Sequence, residues 1–302
     1  MSERWVGADL GGSNLRVALL DGEHRVVRRW RCAVGHLAGG GVLDALREGV
    51  RAVAGSETVR GVGVGVPGLV DPLRGSVRVA PNLSGLSGVA LGPDLQRDLG
   101  VPVWVENDVN AIAVGEWARG AGRGARTVLV LTLGTGVGGG LILDGSLYRG
   151  PDGSAGEVGH MPLYPRGPRC ACGARGCLEM YASATAVVRA AQARGAPAEG
   201  GALSVARAAR AGNRAARQVL ARAGRALGVA AAGLVNLLNL DRIVVGGGLA
   251  GAWDLLEPHA RRELERRAFA VPLERFRWGP WKLGDDAGVV GASILARESL
   301  GL

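Results

Sequence analysis

Lysine is almost missing from this chain: Lys282 stands alone beside 35 arginines. Aromatic residues are equally sparse, at 4%, and arginines such as Arg207, Arg210, Arg214, Arg217, Arg222 and Arg225 are strung along helical stretches rather than massed among rings. A formal charge of +9 therefore reads as solvated helix faces with a bias toward small anionic ligands, and no nucleic-acid partner is expected. Long apolar runs are absent too. Before the strand at Ile243 the longest stretch without charge, Leu227 to Leu240, falls short of the roughly 18 to 20 residues a bilayer requires. No charged-then-apolar leader opens the sequence, so no membrane association and a cytoplasmic location are expected. The Gly-x-x-x-x-Gly-Lys-Ser/Thr loop of P-loop enzymes is missing as well.

Cysteine is scarce, and its placement is informative. Three of the four cysteines lie in Cys170-Ala171-Cys172-Gly173-Ala174-Arg175-Gly176-Cys177, with His160 upstream. Adjacent Cys-x-Cys pairs suit disulfide geometry poorly, and Cys32 has no mate. Three sulfur donors and one imidazole make the closed tetrahedral set of a structural zinc, and His160, Cys170, Cys172 and Cys177 are its expected ligands.

The 302 residues suffice for two domains. The run Trp5 to Leu10 predicts a buried strand, Gly11-Gly12-Ser13-Asn14 a tight turn, and Leu15 to Leu20 a returning strand. A helix over Val42 to Ala54, strands over Gly61 to Val66 and Val101 to Val105, and a helix over Val109 to Trp117 follow. The opening hairpin then returns: Asp9 to Gly22 aligns with Thr132 to Gly145 at a constant offset, matching Leu10/Leu133, Gly11/Gly134, Leu20/Leu143, Asp21/Asp144 and Gly22/Gly145. Gly134-x-Gly136-x-x-Gly139 mimics a dinucleotide fingerprint, but it runs on into a strand rather than opening a helix. Helices are expected over Ser183 to Arg194, Asn213 to Leu238, Leu255 to Phe269 and Ala287 to Leu300. The strand Arg242 to Val245 breaks at Gly246-Gly247-Gly248.

Taken together, Asp9 to Asn14, Glu106-Asn107-Asp108-Val109-Asn110-Ala111, Leu133 to Gly140, Gly156 to Met161, the Cys-x-Cys-Gly-x-x-Gly-Cys-x-Glu segment and Gly284 to Gly288 resemble the ROK family of bacterial sugar kinases and sugar-responsive repressors. The resemblance implies an α/β fold of two actin-like, ribonuclease-H-like lobes with a zinc knot. The lobes are expected at 1–108 with a C-terminal helix at about 287–302, and at 109–286. Asp9 resembles the acid that holds Mg2+; Gly11, Gly12, Ser13 and Asn14 the first phosphate loop; Thr132, Gly134, Thr135 and Gly136 the second; and Gly246, Gly247 and Gly248 the adenosine wall. Gly68, Asn82, Asn107, Asp108, Glu157, His160 and Glu179 resemble the sugar contacts.

The implied reaction is transfer of the γ-phosphate of ATP to the 6-hydroxyl of glucose by a homodimer or homotetramer. Phosphoryl transfer needs the phosphate aligned, its charge neutralised and the hydroxyl proton accepted. Asp108 is the expected base, ionised at neutral pH as a carboxylate in water is. Standing alone, its segment also suits a helix N-cap. His160 is expected to ligate zinc through one ring nitrogen and donate to the sugar through the other. Mannose, fructose and N-acetylhexosamines would use similar polar residues, and polyphosphate remains an alternative donor. The rival reading is a sugar-responsive repressor, but the first phosphate hairpin starts at residue 5 and leaves no room ahead of it for a helix-turn-helix.

Overall fold

In this computed structural model, residues 3–302 are described except 36, 38 and 82. The strands are β1 (Arg4–Leu10), β2 (Asn14–Asp21), β3 (Val26–Ala33), β4 (Val62–Val66), β5 (Leu69–Asp71), β6 (Ser76–Val79), β7 (Val103–Asn107), β8 (Val128–Leu133), β9 (Val137–Leu143), β10 (Ser146–Tyr148), β11 (Arg242–Gly246) and β12 (Arg277–Pro280). The helices are α1 (Gly39–Ala54), α2 (Leu91–Leu99), α3 (Asp108–Arg119), α4 (Glu179–Ala182), α5 (Ala184–Gln192), α6 (Ala202–Arg210), α7 (Arg214–Leu238), α8 (Trp253–Arg267), α9 (Ala270–Arg275) and α10 (Ala287–Ser299). No described helix is long and apolar enough to cross a membrane.

Two five-stranded sheets share one plan. The first runs β3-β2-β1-β4-β7 and the second β10-β9-β8-β11-β12. In each, a meander of three antiparallel strands is extended by two parallel ones. The repeat seen in the sequence is therefore a repeat of topology, with one correction to its alignment. Leu10 faces Leu15 across the first turn, whereas Leu133 faces Val137 across the second. The second turn is one residue tighter, so the constant offset holds for β1 and β8 and slips by one residue in the returning strands.

Several elements were invisible in the sequence. β3 is an edge strand whose Arg28, Arg29 and Arg31 face water, so it lacks the apolar alternation of a half-buried strand. β12 is short and mostly uncovered. β7 also extends past Val105 to Asn107, held by parallel pairing with β4.

Helices α3 and α10 lie between the sheets, and glycine lets them do so. A Cβ at Gly7 or Gly63 would sit 1.9 or 1.8 Å from the carbonyl oxygens of Val289 or Ala292, so α10 rests directly on β1 and β4. At the crossing, a Cβ on Gly291 would fall 1.7 Å from the Ala111 oxygen, and one on Gly115 would fall 2.2 Å from that of Ala287. α3 in turn covers β9, where Gly140 meets Ala113 and the Val109 carbonyl. The fully buried Glu116 secures this arrangement: its carboxylate accepts the backbone amides of Ala121, Lys282 and Leu283, fastening the end of α3 to the segment leading into α10.

Gly291→Ala is expected to lower stability by about 1 to 3 kcal/mol or more through overpacking. The control is Gly233→Ala, exposed within α7 with no atom within 4 Å, which is expected to raise stability by roughly 0.5 to 1 kcal/mol. Thermal melts of the two variants check this, and equal effects would contradict the close crossing.

Candidate active site

The two hairpins and the two central helices converge on one cleft of about 480 Å3. Asp9, Gly11, Asp108, Thr132, Gly134, Gly247 and Gly248, each singled out from sequence, line it together, as do Arg16, Trp281 and Asp285. Asp9, the penultimate residue of β1, is 8% exposed. Its carboxyl has room because Gly288 at the start of α10 carries no side chain; a Cβ there would lie 2.6 Å from Asp9 Cγ. Arg16, directly across the strand pair, places one guanidinium nitrogen 3.6 Å from Asp9 and another 3.2 Å from Asp285.

The glycine turns present bare backbone to this cleft. The start of α5 takes the carbonyls of Gly134, through the Ala184 amide at 2.8 Å, and of Thr135, through the Thr185 hydroxyl at 2.8 Å. Among the described residues the amides of Thr135 and Gly136 have no partner. Such groups are donors for an anion. Gly247 has φ of +83°, and a Cβ there would strike the Leu133 backbone at 2.7 Å, so a side chain is excluded at the wall. Gly246 lies behind it against the Trp281 ring, while Gly12, Ser13 and Asn14 form the exposed tip of the first turn. None of these four lines the cleft, and neither do Thr135 and Gly136; Thr135 lines a separate pocket with Glu179.

Asp108 is the first residue of α3, but it is not the cap. Asn107 is: its Oδ1 accepts the amides of Val109 and Asn110, both at 3.0 Å, while its Nδ2 donates to the Gly68 carbonyl at 2.9 Å. The cap reading of the segment thus moves from Asp108 to Asn107, whose carboxamide keeps only one N–H for a ligand. Asp108 accepts the Val109 amide and faces the cleft.

Asp108 also departs from its sequence expectation as a carboxylate with an ordinary pKa. Burial first, then the charge of Asp9, push its carboxyl up to about 7, against the pull of the Val109 amide. Burial likewise raises Asp9 to about 6, with Arg16 pulling it down and Asp285 pushing it up. Two acids held near neutrality in one cleft are a hallmark of a site built for proton or cation chemistry.

A smaller cavity of about 50 Å3 opens beside the cleft, lined by Gly68, Asn107, Gly156 and Glu157 among others. The 58%-exposed Glu157 carboxylate comes within 3.9 Å of His160 Nε2. The other ring nitrogen, Nδ1, lies 3.5 Å from Cys170 Sγ. Cys172 and Cys177 sulfurs are 3.7 Å apart, and all four donors lie within 4.8 Å of one another. Tetrahedral bonds of about 2.3 Å to sulfur and 2.0 Å to nitrogen imply separations of about 3.8 and 3.5 Å, so the donor set is compatible with zinc. Glu179 bridges this knot to the second turn: one oxygen accepts the Val137 amide at 3.1 Å and the other lies 4.0 Å from Cys170 Sγ. Asn82 falls outside the described residues.

Sequence reasoning missed Arg16, Trp281 and Asp285 as cleft residues. The signal for Arg16 was the hairpin itself, since a four-residue turn between Leu10 and Leu15 sets Arg16 opposite Asp9.

Paired sheets of identical plan, each offering a glycine turn to a common cleft, define the two-lobed actin-like α/β class. Residues 5–299 match the ROK family, and the chain belongs to it. It is 34% identical to a glucokinase of Thermotoga maritima over 98% of each protein. The crystal structure of a ROK family glucokinase from Streptomyces griseus in complex with glucose and AMPPNP superposes with a TM-score of 0.85 at 33% identity, covering 98% of this chain and 99% of that one. A xylose repressor of Caldicellulosiruptor bescii is 31% identical over 77% of this chain but 61% of its own length.

Because the Asp108 pKa is raised on folding, its ionisation destabilises the fold: the cost is absent below about pH 4, grows up to about pH 7 and is complete above. Asp108→Asn is therefore expected to raise the melting temperature of the ligand-free protein more at pH 8 than at pH 4.5. An equal shift at both pH values would show that burial does not oppose ionisation of this carboxyl.

Proposed function

We propose that the protein is an ATP-dependent glucokinase that transfers the γ-phosphate to the 6-hydroxyl of glucose with Asp108 as general base. The observation that carries this reading is the position of Asp108, between a cleft walled by two glycine turns and a small cavity lined by Glu157. Similarity to glucokinases over nearly the full chain supports it.

The working units are residues 1–108 with 287–302, and 109–286. Backbone amides of the first turn at Gly12, Ser13 and Asn14, a turn that Gly11 closes by donating its own amide to the Asn14 carbonyl, and of the second at Thr135 and Gly136 hold the triphosphate, and Gly246 to Gly248 seat the adenosine. Asp9 holds Mg2+, whose part is to neutralise charge on the phosphates. Arg16 adds a positive charge beside it. Asp108 takes the proton from the sugar hydroxyl as it attacks.

Gly68, Asn82, Asn107, Glu157, His160 and Glu179 form the sugar site. His160 would bind zinc through Nδ1, with Cys170, Cys172 and Cys177, leaving Nε2 beside Glu157 as an oriented donor. Two carboxylates and one donor suit adjacent free hydroxyls. An acetamido carbonyl facing one of those carboxylates would leave it unpaired, at about 1 to 3 kcal/mol. The reading extends to a cytoplasmic homo-oligomer, dimer or tetramer, in keeping with the exposed Leu237, Phe269 and Val271.

Measured by ADP release across a panel of sugars with ATP and magnesium, glucose is expected to have the highest kcat/KM and mannose to follow. A higher value for fructose or an N-acetylhexosamine would overturn the substrate. Asp108→Asn is expected to lower kcat by about 10² to 10⁴-fold with glucose still bound. In the wild type, kcat/KM should rise with pH through about 7 and fall tenfold per unit below it, because only the ionised carboxylate accepts the proton. Near-native turnover in the variant removes Asp108 as the base.

One zinc per chain is expected by elemental analysis, and Cys172→Ser should release it and weaken glucose binding. Native protein free of zinc would refute the knot.

A further inference from the structure

The strand leading to Asp108 carries a buried acid that the reaction above does not use. Glu106 is 2% exposed. Its carboxylate accepts from the Asn107 amide at 3.0 Å, from Asn110 Nδ2 at 3.1 Å and from Arg149 Nε at 2.7 Å. Arg149 follows β10 of the second sheet, whereas Glu106 lies in β7 of the first, so this ion pair fastens the loop leading to Glu157 onto the acceptor strand.

One consequence falls on Asn110, 2% exposed in the first turn of α3. The negative charge of Glu106 fixes which way its carboxamide points: Nδ2 faces the carboxylate, since a carbonyl there would be repelled. Asn110 Oδ1 is then a buried acceptor, and among the described residues it has no hydrogen-bond partner. Buried acceptors without partners are rare and call for a donor from elsewhere. Asn110 lines the small cavity with Gly68, Asn107 and Glu157. The other described side-chain amide lining this cavity, Asn107 Nδ2, donates to the Gly68 carbonyl and does not reach Asn110 Oδ1. Among the described residues none supplies the missing donor, which leaves that role to a group entering the cavity.

We propose that Asn110 contacts the acceptor directly, its Oδ1 receiving a hydrogen bond from one hydroxyl of the sugar, with Glu106 and Arg149 as positioning residues that hold the carboxamide in that orientation. This rests on the sugar-kinase reading above and adds a specificity element to it. The sugar must present an O–H donor at that position, and an analogue lacking it leaves the acceptor unpaired.

The test compares wild type with Asn110→Ala on glucose and on 1-deoxy-, 2-deoxy-, 3-deoxy- and 4-deoxyglucose, by steady-state kinetics and by calorimetric binding without ATP. The variant is expected to lose roughly tenfold to a hundredfold in kcat/KM for glucose, mostly through KM, because the contact is made equally in ground and transition states. For one deoxy analogue, already weakened in the wild type, the further loss should be twofold or less. A uniform loss across all five sugars overturns the contact and leaves Asn110 a structural residue. Asn110→Ser, judged by the same comparison, serves where the alanine variant does not fold. Wild type that binds glucose without phosphorylating it would sink the kinase reading while the binding series still decides the contact; wild type that binds none of the five sugars overturns the contact itself.

Discussion

The crossing of α3 and α10 without intervening side chains is the constraint on which the rest of the molecule depends. Gly115 and Gly291 let the two helix backbones touch, and Gly7 and Gly63 let α10 lie on the sheet beneath it. Only the absence of a Cβ permits approaches this close. The helices share the space between two sheets, and both begin at the cleft: α3 with Asp108, and α10 just after Asp285 and Asp286. A widened crossing would shift Asp108 relative to Asp9, and the geometry of the cleft would go with it.

That packing also sets the electrostatics. Asp9 lies one residue before the end of β1 and Asp108 immediately after β7 of the same sheet, in a cleft with few compensating charges, and burial holds both carboxyls well above their range in water. Arg16 offsets part of this at Asp9, and among the described residues no comparable cation faces Asp108. The fold thus stores an unfavourable interaction where charge and protons are to be handled, which is a common relation between stability and active sites. Glu106 and Glu116, by contrast, are buried acids whose oxygens are filled by amides and, for Glu106, by Arg149. Such donors offset the desolvation cost of burying a carboxylate.

The zinc knot and the second glycine turn are joined through Glu179, which accepts the Val137 amide while lying against Cys170. A metal held by these cysteines thereby anchors the turn, the loop carrying His160 and the start of α4 at once. Four donors spread over the loops of 160–177 gain a fixed relation to the sheet that loop backbone alone would not supply.

Local chemistry made much of this legible before any coordinates. Cysteine spacing with His160 picked out the donor cluster that the fold brings together, apolar runs on either side of a turn located β1 and β2, helical spacing located α7, and the glycine turns after apolar strands pointed to a cleft. β3 and β12 were not legible, because an edge strand need not bury a face. The cap at Asn107 rather than Asp108 and the slip of one residue between the hairpins were equally hidden. Those depend on which backbone groups meet across strands, and a linear sequence does not encode that register where both faces are buried. The raised Asp108 pKa and the unpartnered Asn110 oxygen are furthest from the sequence. Each arises from water excluded by segments distant in the chain, and only the assembled lobes decide where water cannot reach.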